Sequence, residues 1–227
     1  DEVIVVNKPA GVLTHSKGAL NDEFTVAEFF RRYTTVGLDT NRPGIVHRLD
    51  RDTSGCLLLA RNPKAVKRFA QAFEHGLVRK RYLAVLDGVP DGGEGVIDLA
   101  LTKVSTRESG WRMRGDPRGK AARTRWRLLA REGGRALVAF FPETGRTHQI
   151  RIHAAEGLGI PILGDGVYGR GGEGVPMLLH AAALAVPRIG KPDIAVEAPL
   201  PGLFADAGFG DAALLADASA QSESGPS

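Results

Sequence analysis

Val3 to Asn7 is an apolar run closed by Lys8-Pro9-Ala10-Gly11. Proline and glycine end regular structure, so the pattern predicts a strand running into a loop. Thr25 stands where a helix cap belongs, and Val26, Phe29, Phe30 and Tyr33 recur at the three-and-four spacing of one helical face. Asn41-Arg42-Pro43-Gly44 forces a loop before Ile45, and Cys56 to Ala60 is continuously apolar, as in a strand buried on both faces. Between them lies the polar stretch His47 to Gly55. Asn62-Pro63 is a helix start, with Val66, Phe69, Ala70 and Phe73 as the inward stripe and Gly76 as the stop. Strands are predicted at Arg81 to Leu86, Ala122 to Leu129, Ala136 to Phe141, Met177 to Val186 and Ile194 to Glu197. Helical spacing returns from Thr147 to Ala155, with Ile150 and Ala154 sharing a face. Strands outnumber helices and few strand-helix-strand units occur, which predicts an α+β fold with a mainly antiparallel mixed sheet.

The 227 residues are 43% hydrophobic and 25% charged, a globular composition, and no window approaches a membrane span. The single cysteine, Cys56, forms no internal disulfide, and the chain opens without a basic and apolar leader. A reducing, cytoplasmic setting is the expectation. The formal charge is +4, but the segment from Ala205 on carries four acids and no base, leaving +8 for the body. We expect residues 1–204 to form the folded domain and the acidic, Ala- and Ser-rich residues 205–227 to be a disordered tail. Lys103 to Arg131 holds ten bases against two acids, Glu108 and Asp116. Such a stripe reads as a solvated face or as the footprint of a polyanion. The stretch from Lys103 to Arg118, read as a basic loop, contains Trp111, an aromatic among arginines that suits either a stacked base or packing on its own domain.

Several motifs fail on inspection. Asp50-Arg51-Asp52-Thr53-Ser54-Gly55 starts like a calcium loop, but its twelfth position is Arg61 instead of a bidentate Glu. Gly164-Asp165-Gly166-Val167-Tyr168-Gly169 matches a dinucleotide fingerprint, yet a glycine-rich turn follows where a helix is needed. His148 and His153, five apart, do not share a helical face and lack further metal ligands nearby; they read as hydrogen-bonding or RNA-facing groups.

What remains is His47-Arg48-Leu49-Asp50-Arg51-Asp52-Thr53-Ser54-Gly55 and Gly145-Arg146-Thr147-His148-Gln149-Ile150-Arg151-Ile152-His153. Together these resemble the two signature segments of the RluA-type pseudouridine synthases. Further landmarks follow in the family's order: Val5 to Gly11, Lys80-Arg81-Tyr82-Leu83-Ala84-Val85, Gly119 to Ala122, and Pro161 to Asp165. The resemblance covers roughly residues 3 to 200 and implies an isomerase that detaches a uracil from its ribose and rejoins it through C5, with no cofactor. It implies that Asp50 is the catalytic aspartate, that Tyr82 packs on the base and takes the C5 proton, and that Arg151 pairs with the aspartate. Arg48, His47, Arg146, His148, Arg112, Arg114 and Arg118 are then the expected RNA contacts. The partner implied is structured RNA, ribosomal or transfer, with no membrane and no obligate protein partner.

The chemistry suits these types. An ionised carboxylate attacks C1′ of the ribose or C6 of the base, or removes a ribose proton, and a guanidinium favours its charged form. A tyrosine ring offers a flat apolar surface to a uracil flipped out of its stack. By residue type alone, Asp50 reads as well as a turn cap, Tyr82 as a packed aromatic and Arg151 as a solvated helix residue. The competing expectation is a catalytically inactive RNA-binding protein or RNA chaperone of the same fold; a metal-dependent nuclease would need more clustered carboxylates than Asp50 and Asp52.

Overall fold

The computed structural model describes residues 2–16, 24–34, 43–106, 110–171 and 175–210. Asn41 and Arg42 of the expected loop, Arg107 and Glu108 of the basic stretch, and residues 211–227 of the expected tail lie outside the described residues. The elements in chain order are β1 (Val3–Lys8), α1 (Val26–Phe30), β2 (Ser54–Ala60), α2 (Pro63–Glu74), β3 (Arg79–Leu86), β4 (Glu94–Asp98) and β5 (Leu101–Thr106). They continue with β6 (Gly110–Gly115), β7 (Arg123–Glu132), β8 (Arg135–Pro142), α3 (Gln149–Ile152), β9 (Leu179–Val186), β10 (Ile194–Glu197) and α4 (Gly202–Asp206). Mostly antiparallel strands with few helices make this the α+β fold expected. No helix among the described residues is long and apolar enough to cross a membrane. The chain divides into two compact units, Asp1–Arg79 with Ala181–Pro199, and Lys80–His180 with Leu200–Ser227.

In the first unit β2 lies between β1 and β9, and β10 pairs with β9. β1 and β2 run antiparallel from Val3 opposite Ala60 to Lys8 opposite Gly55. All of β2 is buried, as its unbroken apolar run requires. Gly55 has φ of +110°, and a Cβ there would stand 2.2 Å from the Ala181 carbonyl oxygen of β9, so only glycine fits. The Asn62 side chain accepts from the Ala65 N–H at 2.9 Å and caps α2, a contact worth about 1 kcal/mol. The helix buries Ala65, Phe69 and Ala72 against Cys56, Leu58 and Leu184. Its inward stripe therefore centres on small alanines beside Phe69, with Val66 and Phe73 on the flanks.

In the second unit β3, β8, β7 and β4 pair in that order, all antiparallel, with a bulge in β7 between Leu128 and Ala130. Ile150 and Ala154 pack on Ala84, Leu86, Val138 and Phe140, the face that their spacing predicted. The helix itself is shorter than expected at its start: α3 begins at Gln149 and runs on as a π-helical turn, His153–Gly157. The basic loop expected from Lys103 to Arg118 is instead mostly a two-stranded hairpin of β5 and β6, with Leu101 opposite Gly115 and Thr106 opposite Gly110. Folded chain also extends past residue 204. Phe204 and Phe209 are both buried, and the Phe209 N–H donates to the Phe204 carbonyl at 2.8 Å, so the expected tail is folded as far as Phe209.

Candidate active site

The candidate residues divide between the units: His47, Arg48 and Asp50 belong to the first, the others to the second. In the first unit, the segment after β1 and the loop before β2 are laced together. Lys8 is only 1% exposed, and its ammonium donates to the carbonyls of Pro9 at 2.9 Å, Val12 at 2.7 Å and Arg51 at 2.9 Å. Burial pulls this lysine down to about 8, against the opposing attraction of Asp52 and Asp50. The Gly11 N–H donates to the Arg51 carbonyl, and Arg51 Nε returns a bond to the Gly11 carbonyl at 3.1 Å. Thr14 both donates to the Leu49 carbonyl and accepts from its N–H. Asp50 is half-buried on this locked loop, and its carbonyl accepts the Thr53 N–H at 3.2 Å to close the turn.

Arg48 is exposed. His47, expected among the RNA contacts, spends its ring on its own unit: Nε2 accepts the Leu58 N–H at 2.8 Å, and the imidazole stacks on Phe73 with centroids 4.1 Å apart. It anchors the Asp50 loop to β2 and α2.

In the second unit Tyr82 is half-buried on β3, opposite Phe140 of β8 and against the core of that unit. Lys80, two residues earlier and so on the same strand face, donates to the Thr144 carbonyl at 3.1 Å, and burial pulls it down to about 8. Gln149 is a buried clamp. Its oxygen accepts from Thr144 Oγ1 at 2.8 Å and the Arg146 N–H at 2.9 Å, while its amide donates to the Arg123 carbonyl and Thr124 Oγ1. Arg146 is exposed, with Nε on the Ala121 carbonyl at 3.0 Å. His153 is fully buried, with Nε2 3.1 Å from the Leu99 carbonyl; burial lowers its pKa, so it is a hydrogen-bonding residue of the interior.

Arg151, expected from the resemblance to pair with Asp50, is buried and within its own unit holds Asp165: Nε donates to Oδ2 at 2.7 Å and Nη2 to Oδ1 at 2.6 Å. Asp165 also accepts the N–H groups of Val167 at 2.8 Å and Tyr168 at 3.0 Å. Burial pushes its carboxyl up, but these four donors outweigh burial and hold it below the usual carboxylate range. Gly164, with φ of +81° and a Cβ position only 2.1 Å from the Pro176 carbonyl, turns the chain so that Asp165 points inward. Asp165 and Lys8 were missed as site residues; both stood in quoted landmarks, Pro161 to Asp165 and Val5 to Gly11, where they lacked an assigned task.

Arg112, Arg114 and Arg118 are exposed on or beside the hairpin. Arg114 and Arg118 each lie 3.4 Å from the Asp116 carboxylate, which the Arg118 backbone N–H, its guanidinium and Arg114 hold below its usual range.

A family model described as RNA pseudouridylate synthase matches residues 2–156. An uncharacterized RNA pseudouridine synthase of Zymomonas mobilis is 51% identical over 92% of this chain and 94% of its own length. The ribosomal large subunit pseudouridine synthase D of Borreliella burgdorferi is 37% identical over 81% of this chain, which spans only 58% of that relative. Among solved structures, human RNA pseudouridylate synthase domain containing 1 superposes with a TM-score of 0.74 at 28% identity, covering 97% of this chain and 91% of that one. Carrying the ordered landmarks on this fold, the chain belongs to the RluA-type RNA pseudouridine synthases, a family of isomerases acting on RNA.

Proposed function

We propose that this protein converts specific uridines to pseudouridine in structured cellular RNA, with Asp50, Tyr82 and Arg151 as its chemical residues and no cofactor, in the cytoplasm. The reaction breaks the N1–C1′ bond and forms C5–C1′; C5 loses a proton and N1 gains one, so it is redox-neutral. Asp50 supplies the carboxylate that engages the sugar or the base. Tyr82 presents a ring to the detached uracil and a hydroxyl that takes the C5 proton. Arg151 supplies a charge that cannot be titrated away. Arg48 and Arg146, both exposed, meet the RNA backbone. The observation that carries this reading is rigidity at the right residues: Asp50 rides a loop locked by Lys8, and Arg151 is gripped at two nitrogens by Asp165. Sites that must hold geometry through a reaction are built in this way.

The Borreliella relative's name refers to the ribosomal large subunit, and a Rickettsia bellii relative at 36% identity is a ribosomal large subunit pseudouridine synthase C. Ribosomal RNA is therefore the first substrate to offer, ahead of transfer RNA. Pseudouridine mapping of total RNA from cells with and without the gene is expected to lose one or a few sites, and the purified protein should restore them. Asp50→Asn keeps size and removes charge, so product should vanish while RNA affinity stays within about tenfold. Full activity in Asp50→Asn would overturn the reading.

A further inference from the structure

Side chains of the hairpin alternate between two faces. By register, Val104 stands opposite Arg112 and Thr102 opposite Arg114 on one face, and Lys103 stands opposite Met113 and Ser105 opposite Trp111 on the other. The second face turns toward its own unit, where Met113 packs with Leu101, Ala122, Ile152 and Tyr168. Trp111, further out along that face, lies over the imidazole of His148 with ring centroids 5.4 Å apart and planes 29° from parallel. The Lys103 ammonium is 5.0 Å from the Trp111 ring. His148 in turn meets Tyr168 edge-on, with Nδ1 2.8 Å from its hydroxyl, and that hydroxyl accepts the Met113 N–H at 3.1 Å. The Arg151 guanidinium lies 5.0 Å from the Tyr168 ring. A continuous ladder of rings thus joins the exposed hairpin to the buried arginine, wholly within the second unit.

Two features set this ladder apart from core packing. Trp111 remains 42% exposed, whereas the chain's other tryptophan, Trp126, is 7% exposed in the core. His148 is the only described residue other than glycine with positive φ, at 55°. Left-handed backbone at an imidazole persists only where its surroundings over-determine it, and such strain gathers at ligand sites. Here it turns the ring of His148 under an indole that leaves part of its own surface to solvent, beside a lysine, with the arginines on the opposite face of the hairpin.

We propose that Trp111 and His148 form a stacking platform for one nucleobase of the substrate RNA, distinct from the uridine being isomerised, with Lys103 meeting a phosphate of the same nucleotide. The proposal deepens the reading above and rests on the protein acting on RNA. Any base has a π-face, so the platform sets where the strand lies without reading its sequence. Arg112 and Arg114, on the other face, serve the backbone independently of it.

Tryptophan emission tests this, because Trp111 is exposed and Trp126 is not. The probes are an oligouridylate and a transcript carrying a uridine found by mapping. Saturation with either should quench Trp111, and Trp111→Ala should weaken binding about tenfold, a loss of about 1.4 kcal/mol, while the Trp126 emission that remains certifies the fold. Trp111→Phe, which keeps a ring, should recover most of the affinity. Absence of quenching at saturation, or wild-type affinity in Trp111→Ala, would overturn the platform while leaving mapped pseudouridine intact. Absence of any mapped site, with quenching by oligouridylate retained, would overturn the catalytic reading and leave the platform standing.

Discussion

Asp165 receives four N–H donors on two oxygens, two from Arg151 and two from the backbone. Taking a partner from a buried ion pair is costly because the remaining charge is stranded, by roughly 3 to 5 kcal/mol. Asp165→Asn, which preserves shape, is therefore expected to destabilise the protein by about 3 kcal/mol and to cut product formation by loosening Arg151. The pH dependence separates this pair from a neutral contact. With its folded pKa depressed, Asp165 contributes stability that is present above the ordinary carboxylate value and is lost as pH falls through the lowered one. Urea denaturation at pH 7 and at pH 3 should show the gap between wild type and Asp165→Asn narrowing in acid; a gap of constant width would refute the charge-pair account. Nothing local announces such a pair, since fourteen residues separate its members. That is why Asp165 was legible in the sequence only as part of a motif, while Asp50, Tyr82 and Arg151 could be given roles through the resemblance.

Elements with one strong signal were readable. β2 is a bare apolar run, and α2 opens with Asn and Pro at its cap and first positions. The elements that escaped had their signal masked by charge. On β6, Trp111 and Met113 alternate with Arg112 and Arg114, a period of two that a concentration of arginines makes look like loop. β4 keeps one buried residue, Ile97, and its Gly95 is required because a Cβ would stand 2.9 Å from the Trp126 indole nitrogen. The junction of β1 with the Asp50 loop hides in another way, because Lys8 does the work of a core residue. Three carbonyls depend on its ammonium, and bonds to a charged donor contribute roughly 1.5 to 3 kcal/mol each. Lys8→Met should cost about 3 kcal/mol and lower activity by freeing the Asp50 loop. Its folded value of about 8 lies below the ordinary 10.5, so between these limits the unfolded chain binds more protons and stability rises with pH. The difference between wild type and Lys8→Met in chemical denaturation should then widen from pH 7 to pH 10, with the similarly depressed Lys80 cancelling because both proteins keep it.

At the scale of the molecule, the formal charge of +4 understates the local basic character, because bases gather between Lys103 and Arg131. Their effect is tempered from within: Asp116, inside the stripe, holds both Arg114 and Arg118 at 3.4 Å. An arginine that must release a carboxylate to reach a phosphate gains less than one that comes from solvent, so if these arginines meet RNA, Asp116 is expected to moderate the affinity as well as brace the end of the hairpin. Two variants pull in opposite directions. Replacing Arg112, Arg114 and Arg118 by Ala should weaken RNA binding and flatten its salt dependence, with roughly 0.7 to 0.9 lost from the log-log slope for each phosphate contact removed. Asp116→Asn should tighten binding at low salt and steepen the slope, because two guanidinium groups are then held only by hydrogen bonds. Filter-binding titrations across a range of salt concentrations measure both. A triple variant whose slope equals that of the wild type would place this face of the hairpin away from the RNA, and an Asp116→Asn protein that binds more weakly would show that the carboxylate orders the arginines instead of competing for them.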